Sequence, residues 1–312
     1  MKIVYPEYYH EFQCVADRCR HNCCIGWEID IDETTYQNYK NYTGELKNRL
    51  QQNISERDTP HFLLGESNRC PFLNEKNLCD IILSMGEDSL CQICSDHPRF
   101  RNFFTNYTEM GLGLCCEAAG QLILSGKERF FLPEKDLNLL SEEEIEFFTI
   151  RDSVFSIVQD REVPLSKRIE KLFSEFSLSF PEKTFQEWAE LYLSLERLED
   201  GWTNLLQKLS VADECREELG TQWEIPFEQL LCYFIYRHLT DAVLDGCYRE
   251  RILFSVLSTF IVYSISSAKK AQEGEFTMDD LVEIARLYSS EIEYSEENTD
   301  TLLSIMECYL YF

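Results

Sequence analysis

Ten of the fourteen cysteines fall within the first 116 residues, and four of them, Cys14, Cys19, Cys23 and Cys24, fall within eleven. The remainder of the group is Cys70 before Pro71, Cys79, the C-x-x-C pair Cys91 and Cys94, and the adjacent Cys115 and Cys116. The opening stretch "MKIVYPEYYHEFQC" has no apolar run after its lysine, so no secretory leader is read and a reducing, cytoplasmic setting is expected. In that setting clustered thiols serve as metal ligands or redox groups more often than as structural disulfides. Structural zinc sites usually take two closely spaced ligand pairs separated by a loop. The unequal spacings and vicinal cysteines here fit a cluster with ligands of more varied origin, while a structural zinc module and a disulfide framework stay open. The C-x-x-x-C-x-x-C pattern is not met, because Gly26 stands three residues after Cys23. Successive side chains point apart, so of Cys23 and Cys24 one is expected to face a metal and the other to pack or react. Cys215, Cys232, Cys247 and Cys308 are scattered singly through helical pattern and read as core fillers.

The chain is therefore expected to be mostly α, with an irregular Cys-rich metal-binding module over residues 1–125 and an all-helical region over 126–312. Within the first part, short helices are predicted around "DETTYQNYKNYTGELKNRL" and "GLCCEAAGQLILSG", joined by turn-rich connections such as "GESNRCPFLNEKN". Such short apolar runs suit a module stapled by metal. Beyond Phe131 long stretches carry apolar residues at three- and four-residue spacing, as with Ile145, Phe148, Ile150, Val154, Phe155 and Val158. Helices are likewise predicted for "PLSKRIEKLFSEFSL", "FQEWAELYLSLERLEDGWTNLLQKL", "PFEQLLCYFIYRHLTDAVLDG" and "MDDLVEIARLYSSEIEY".

A net charge of −27 argues against nucleic acid, whose phosphates are bound by clustered Lys and Arg, and favours a cationic partner or plain solubility. Most of that acidity lies after Ser125. The apolar stretch Ile252–Ala268 holds five serines and a threonine, and is read as a buried helix rather than a membrane span.

Four segments, "CRHNCCIGWEIDIDETTYQNY", "CPFLNEKNLCDIILSMGEDSLCQICSDHPRF", "LGLCCEAAGQLIL" and "YFIYRHLTDAV", together resemble the flagellin lysine-N-methylase family, FliB, whose cysteine-rich part is similar to CxxCxxCC zinc- or iron-chelating proteins. The resemblance implies methyl transfer from S-adenosylmethionine to a lysine of flagellin or another lysine-bearing protein, with a [4Fe–4S] cluster held by the cysteines. By position it implies ligands among Cys19, Cys23, Cys79, Cys91, Cys94 and Cys115, and then Cys14, Cys24 and Cys70. Cys116 stands where the family has proline and is the weakest candidate.

Such chemistry needs an unprotonated lysine amine, whose ordinary pKa is about 10.4, so a site must desolvate it or take its proton. Carboxylates, tyrosines and His238 are candidate acceptors. Arg237, His238 and Asp241 are the catalytic candidates: Arg237 and Asp241 lie at i and i+4 on one helix face, where Arg237 can bind an acid or the two form a structural ion pair, with His238 facing elsewhere. No G-x-G-x-x-G loop follows a strand, so a Rossmann cofactor site is not read. Arg99 is the candidate partner for a cofactor carboxylate. His97 lies beside the cysteines or simply ends a helix before Pro98. Trp27 closes a cofactor pocket or anchors a small core, with Gly26 letting backbone approach a cluster. Two other readings remain: a metal module without catalysis, zinc being the alternative ion, and a thiol redox protein using Cys91 and Cys94.

Overall fold

The computed structural model describes residues 2–57, 59–133, 136, 138, 140–211 and 218–311; Cys215 lies outside them. The chain divides into two compact units, one of Gln13–Phe100 and one of Met1–Phe12 with Arg101–Phe312. The smaller unit therefore ends before the Cys115–Cys116 helix that the sequence reading grouped with it. The separation follows from pairing. Strand β1 (Lys2–Val4) runs parallel to β5 (Tyr107–Leu112), with Lys2 opposite Tyr107 and Val4 opposite Glu109. Parallel neighbours require a crossover. Here the intervening chain includes the whole smaller unit, and β4 (Arg99–Phe103) completes the sheet in the order β1, β5, β4.

In Gln13–Phe100 the helices are short: α1 (Glu33–Asn41), α2 (Lys47–Gln52), α3 (Asp80–Met85) and α4 (Gln92–Asp96). Asp32 caps α1 by accepting from the Thr35 N–H (3.0 Å), and its second oxygen accepts from the Gln92 N–H (2.9 Å), tying the start of α4 to that of α1. A two-stranded ladder, β2 (Ile54–Ser55) with β3 (His61–Phe62), joins them. The core is Ile29, Ile31, Tyr39, Leu50, Phe62, Phe72 and Ile81, with Cys70 and Cys91 buried in it and Cys24, Cys79, Cys94 and Trp27 packed against it.

The larger unit is helical: α5 (Glu117–Leu124), α6 (Glu142–Val158), α7 (Leu165–Glu175), α8 (Phe185–Ser194), α9 (Asp200–Ser210), α10 (Glu224–His238), α11 (Ala242–Asp245), α12 (Tyr248–Glu273), α13 (Met278–Tyr288) and α14 (Glu296–Tyr311). Capping boxes start α6 at Ser141, α8 at Thr184 and α13 at Thr277. Helix α12 is long and apolar enough to cross a membrane, yet 83% of its apolar window is buried inside the protein. Its hydroxyls tolerate that burial by donating to carbonyls one turn back, Ser258 to Phe254 (2.8 Å) and Ser266 to Val262 (2.7 Å). In α6 the buried face is Phe147, Phe148, Val154, Phe155, Ile157 and Val158, whereas Ile145 is exposed. The fully buried Arg151 takes the middle of that face. Of the scattered cysteines, Cys232 is a core residue, but Cys247 is half-buried at the start of α12 and Cys308 is exposed near the end of α14, so neither is a core filler. Burial follows the face each residue occupies on its helix, which a lone cysteine does not reveal.

Candidate functional site

Three turns bring thiols together in the smaller unit. The Cys70 N–H donates to the Cys24 carbonyl (2.8 Å), and Ile25 bridges Arg69, which lays the opening cysteines along the Cys70 strand. Gly26, at φ +98°, makes the turn possible; a side chain there would meet nothing within 4 Å, so glycine is required by backbone conformation rather than by close approach. Leu73 bridges Cys79, and Arg49 fixes this second turn by donating to the Pro71 carbonyl (2.9 Å) and pairing with Asp80 (2.5 Å). Cys91 then caps α4 and places Cys94 one turn on.

The thiols of Cys24, Cys70, Cys79, Cys91 and Cys94 are consequently close enough to perturb one another. Burial pushes Cys70 up to about 11 and raises Cys79, with Cys91 adding to both. Two pairs are hydrogen-bonded: Cys94 holds Cys91 low, and Cys24 holds Cys23 at about 4 with help from His97. Cys24 and Cys94 are raised by the same bonds and by burial. Of the vicinal pair, Cys24 thus senses Cys70 and Cys79 while Cys23 meets His97. His97 caps the C-terminus of α4, so it both ends that helix and reaches a thiol.

The other residues singled out in the sequence lie as follows. Cys14 is exposed and accepts from the Ala16 N–H (3.4 Å), and Cys19 donates to the His21 carbonyl (3.2 Å). Arg99 donates to the Ser95 carbonyl (3.0 Å) at the end of α4. Trp27 is half-buried, its Nε1–H donating to the Cys23 carbonyl (2.7 Å). Cys115 and Cys116 belong to the larger unit.

That unit holds a second constellation. Glu293, fully buried, receives the Arg237 Nε at 3.2 Å and the His238 Nε2 at 2.6 Å on one oxygen, and the Tyr233 hydroxyl at 3.0 Å on the other. Tyr233 in turn accepts from Arg237 Nη1 (3.0 Å) and the Leu114 N–H (3.2 Å). The Arg237 guanidinium lies 4.8 Å from the centre of the Tyr294 ring, and Tyr294 bonds the Cys115 thiol, which burial pushes up to about 12. Despite its own burial, Glu293 is held at about 2 by Arg237 and His238. Burial lowers His238 below its ordinary 6.5. The predicted Arg237–Asp241 pair does not form: Asp241 meets Arg251 at 3.2 Å, and His238 turns to the same carboxylate as Arg237. Glu293 was not legible as the partner because it ends a π-helical turn, Ser289–Glu293, that breaks the α13 register. Such single π turns recur at functional sites.

Residues 170–309, which contain this constellation except Leu114 and Cys115, match the family described as FliB lysine N-methylase C-terminal domain. The chain is 27% identical over 139 residues to the "Lysine-N-methylase" of Salmonella typhimurium, covering 42% of this chain and 35% of that protein. The Salmonella choleraesuis protein of the same name gives the same figures. It is 28% identical over 137 residues to the "Flagellar biosynthetic protein FliU" of Salmonella muenchen, covering 42% of this chain and 81% of that protein. The aligned part thus spans about a third of the two lysine-N-methylases. No solved structure matches. The family match supports a relationship between residues 170–309 and the FliB lysine N-methylases, and the relatives' names agree with it.

Proposed function

We propose that the chain is an S-adenosylmethionine-dependent protein-lysine N-methylase, with flagellin or another lysine-bearing protein as substrate and with a [4Fe–4S] cluster bound in the smaller unit. The observation that carries the reading is the gathering of Cys24, Cys70, Cys79, Cys91 and Cys94 around one apolar core, in a chain whose residues 170–309 match the FliB methylase C-terminal domain. Five soft donors on backbone-pinned turns are enough to hold three irons of such a cluster. When bound through three of these thiols, such a cluster would leave one iron free to ligate amino and carboxylate groups. Zinc bound without catalysis is the competing use of the same thiols.

The helical half contributes proton management. Ionised Glu293 can only accept, so the neutral His238 donates through Nε2 and keeps its basic lone pair on Nδ1. His238 Nδ1 is therefore the atom suited to take a proton from an incoming lysine ammonium, while Glu293, held near 2, is too weak a base. Replacing His238 by Ala should lower methyl transfer by about 10²–10⁴-fold, the range for lost general-base catalysis, with little change in bound iron.

The test is anaerobic purification with iron, sulfide and zinc analysis, followed by methyl transfer from labelled S-adenosylmethionine to flagellin. About four irons and four sulfides per chain with label on lysine is the expected result. Stoichiometric zinc, no colour and no transfer would establish the metal-module reading instead. Cys70→Ser and Cys91→Ser should lose the visible absorption, and Cys14→Ser, altered at an exposed position, should keep it.

A further inference from the structure

The extended stretch Glu28–Ile31 lies beside Pro60–Phe62. The Ile31 N–H donates to the Pro60 carbonyl (2.7 Å), the Phe62 N–H to the Ile29 carbonyl (3.0 Å), and Asp30 forms an antiparallel bridge with His61. Alternation along an extended chain sends Ile29 and Ile31 into the core and leaves Glu28 and Asp30 on the opposite face. Residues opposite one another in an antiparallel bridge share a face, so His61 joins the two acids. One ligand atom from each of the three lies within 4.8 Å of the others.

The histidine decides what this trio can hold. Its Nδ1 meets the Thr59 carbonyl at 2.9 Å, and a carbonyl only accepts, so the proton is on Nδ1. Nε2, 3.4 Å from a Glu28 oxygen, then either carries a second proton or turns a lone pair toward carboxylates. A lone pair facing carboxylate oxygens is repelled unless a cation lies between them, and an imidazole fixed through Nδ1 is how ligating histidines are usually oriented. We propose that Glu28, Asp30 and His61 form a divalent-cation site, taking a first-row ion such as Mn²⁺ or Zn²⁺ through two carboxylates and one imidazole. It is separate from the thiols and independent of the methylase reading. Its effect is to pin the segment following Cys24 and Trp27 against β3.

The test titrates Mn²⁺, which thiolates disfavour, into the full chain with its thiols already metal-loaded, in excess Mg²⁺, following free Mn²⁺ by electron paramagnetic resonance. One saturable Mn²⁺ per chain is expected, bound at least tenfold more weakly by His61→Ala and Asp30→Asn. Glu143→Gln, which removes an exposed acid elsewhere, should bind as the parent does. Should His61→Ala fail to fold, Glu28→Gln on the exposed face repeats the measurement. Equal affinity in every variant would assign the binding to the acidic surface at large and overturn the site. A doubly protonated His61 at pH 7.5 in ¹⁵N spectra, unmoved by Mn²⁺ or Zn²⁺, would overturn it in favour of an imidazolium–carboxylate pair.

Discussion

Replacing Glu109 by Gln is expected to destabilise the larger unit by about 3–5 kcal/mol, because it leaves the Arg151 charge buried without its counterion. Both side chains are fully buried. Arg151 forks onto the carboxylate, Nη1 to Oε2 at 2.7 Å and Nη2 to Oε1 at 2.5 Å, and Tyr107 adds a third bond to Oε1 at 3.0 Å. The rings of Phe147, Phe148, Phe155 and Tyr236 lie 4.9 to 5.9 Å from the guanidinium carbon. This pair joins β5 to α6 and α10, three elements far apart in sequence. Urea unfolding at pH 7 followed by tryptophan fluorescence measures it, since Trp188, Trp202 and Trp223 all lie in the larger unit. A joint Glu109→Leu, Arg151→Met variant should recover most of the loss, because replacing a whole buried pair by apolar groups is often nearly neutral. A loss under about 1 kcal/mol in Glu109→Gln would mean that water reaches the guanidinium and the pair carries little.

That pair also shows where sequence reading stops. Helix α6 is legible from its apolar spacing, but the spacing gives no sign that Arg151 faces inward, since a lone arginine among apolar residues normally marks the solvent side. Its partner lies on a strand whose own neighbour is Lys2–Val4, and no local pattern announces a pairing between segments about a hundred residues apart. The long helices and the buried character of α12 were readable because each depends on residues within one or two turns. The thiol group was readable as a crowd of soft donors. Its membership was not: Cys24 and Cys70 lie among the central five while Cys14 is exposed, and this depends on the Cys24–Cys70 and Leu73–Cys79 pairings. The trio Glu28, Asp30 and His61 follows from an alternation visible in "WEIDID", but only the bridge to His61 gives it a third ligand.

Replacing Glu293 by Gln should produce the second large effect, and its pH dependence reads the ionisation of that carboxylate. Its folded-state pKa is depressed from 4.5 to about 2, so it contributes stability that is complete above its unfolded value and lost as pH falls toward 2. A depression of that size is worth about 3 kcal/mol. His238 works in the same direction: its pKa is lowered from 6.5, so the folded state binds fewer protons and stability falls as pH drops below 6.5. At pH 7 the variant should therefore lose about 3–5 kcal/mol, the cost of leaving Arg237 buried beside a neutral amide. The gap between parent and variant should narrow steadily from about pH 4.5 down to pH 2, because protonation does to the parent what the substitution does to the variant. The His238 pKa should fall further in the variant, since the carboxylate that favours the imidazolium is gone, and ¹³C-histidine titration reads this directly. A gap that stays constant between pH 4.5 and 2 would mean that Glu293 is not ionised in the fold. The imidazole could then no longer be assigned its basic atom at Nδ1, because a protonated Glu293 donates to Nε2 and reverses the tautomer.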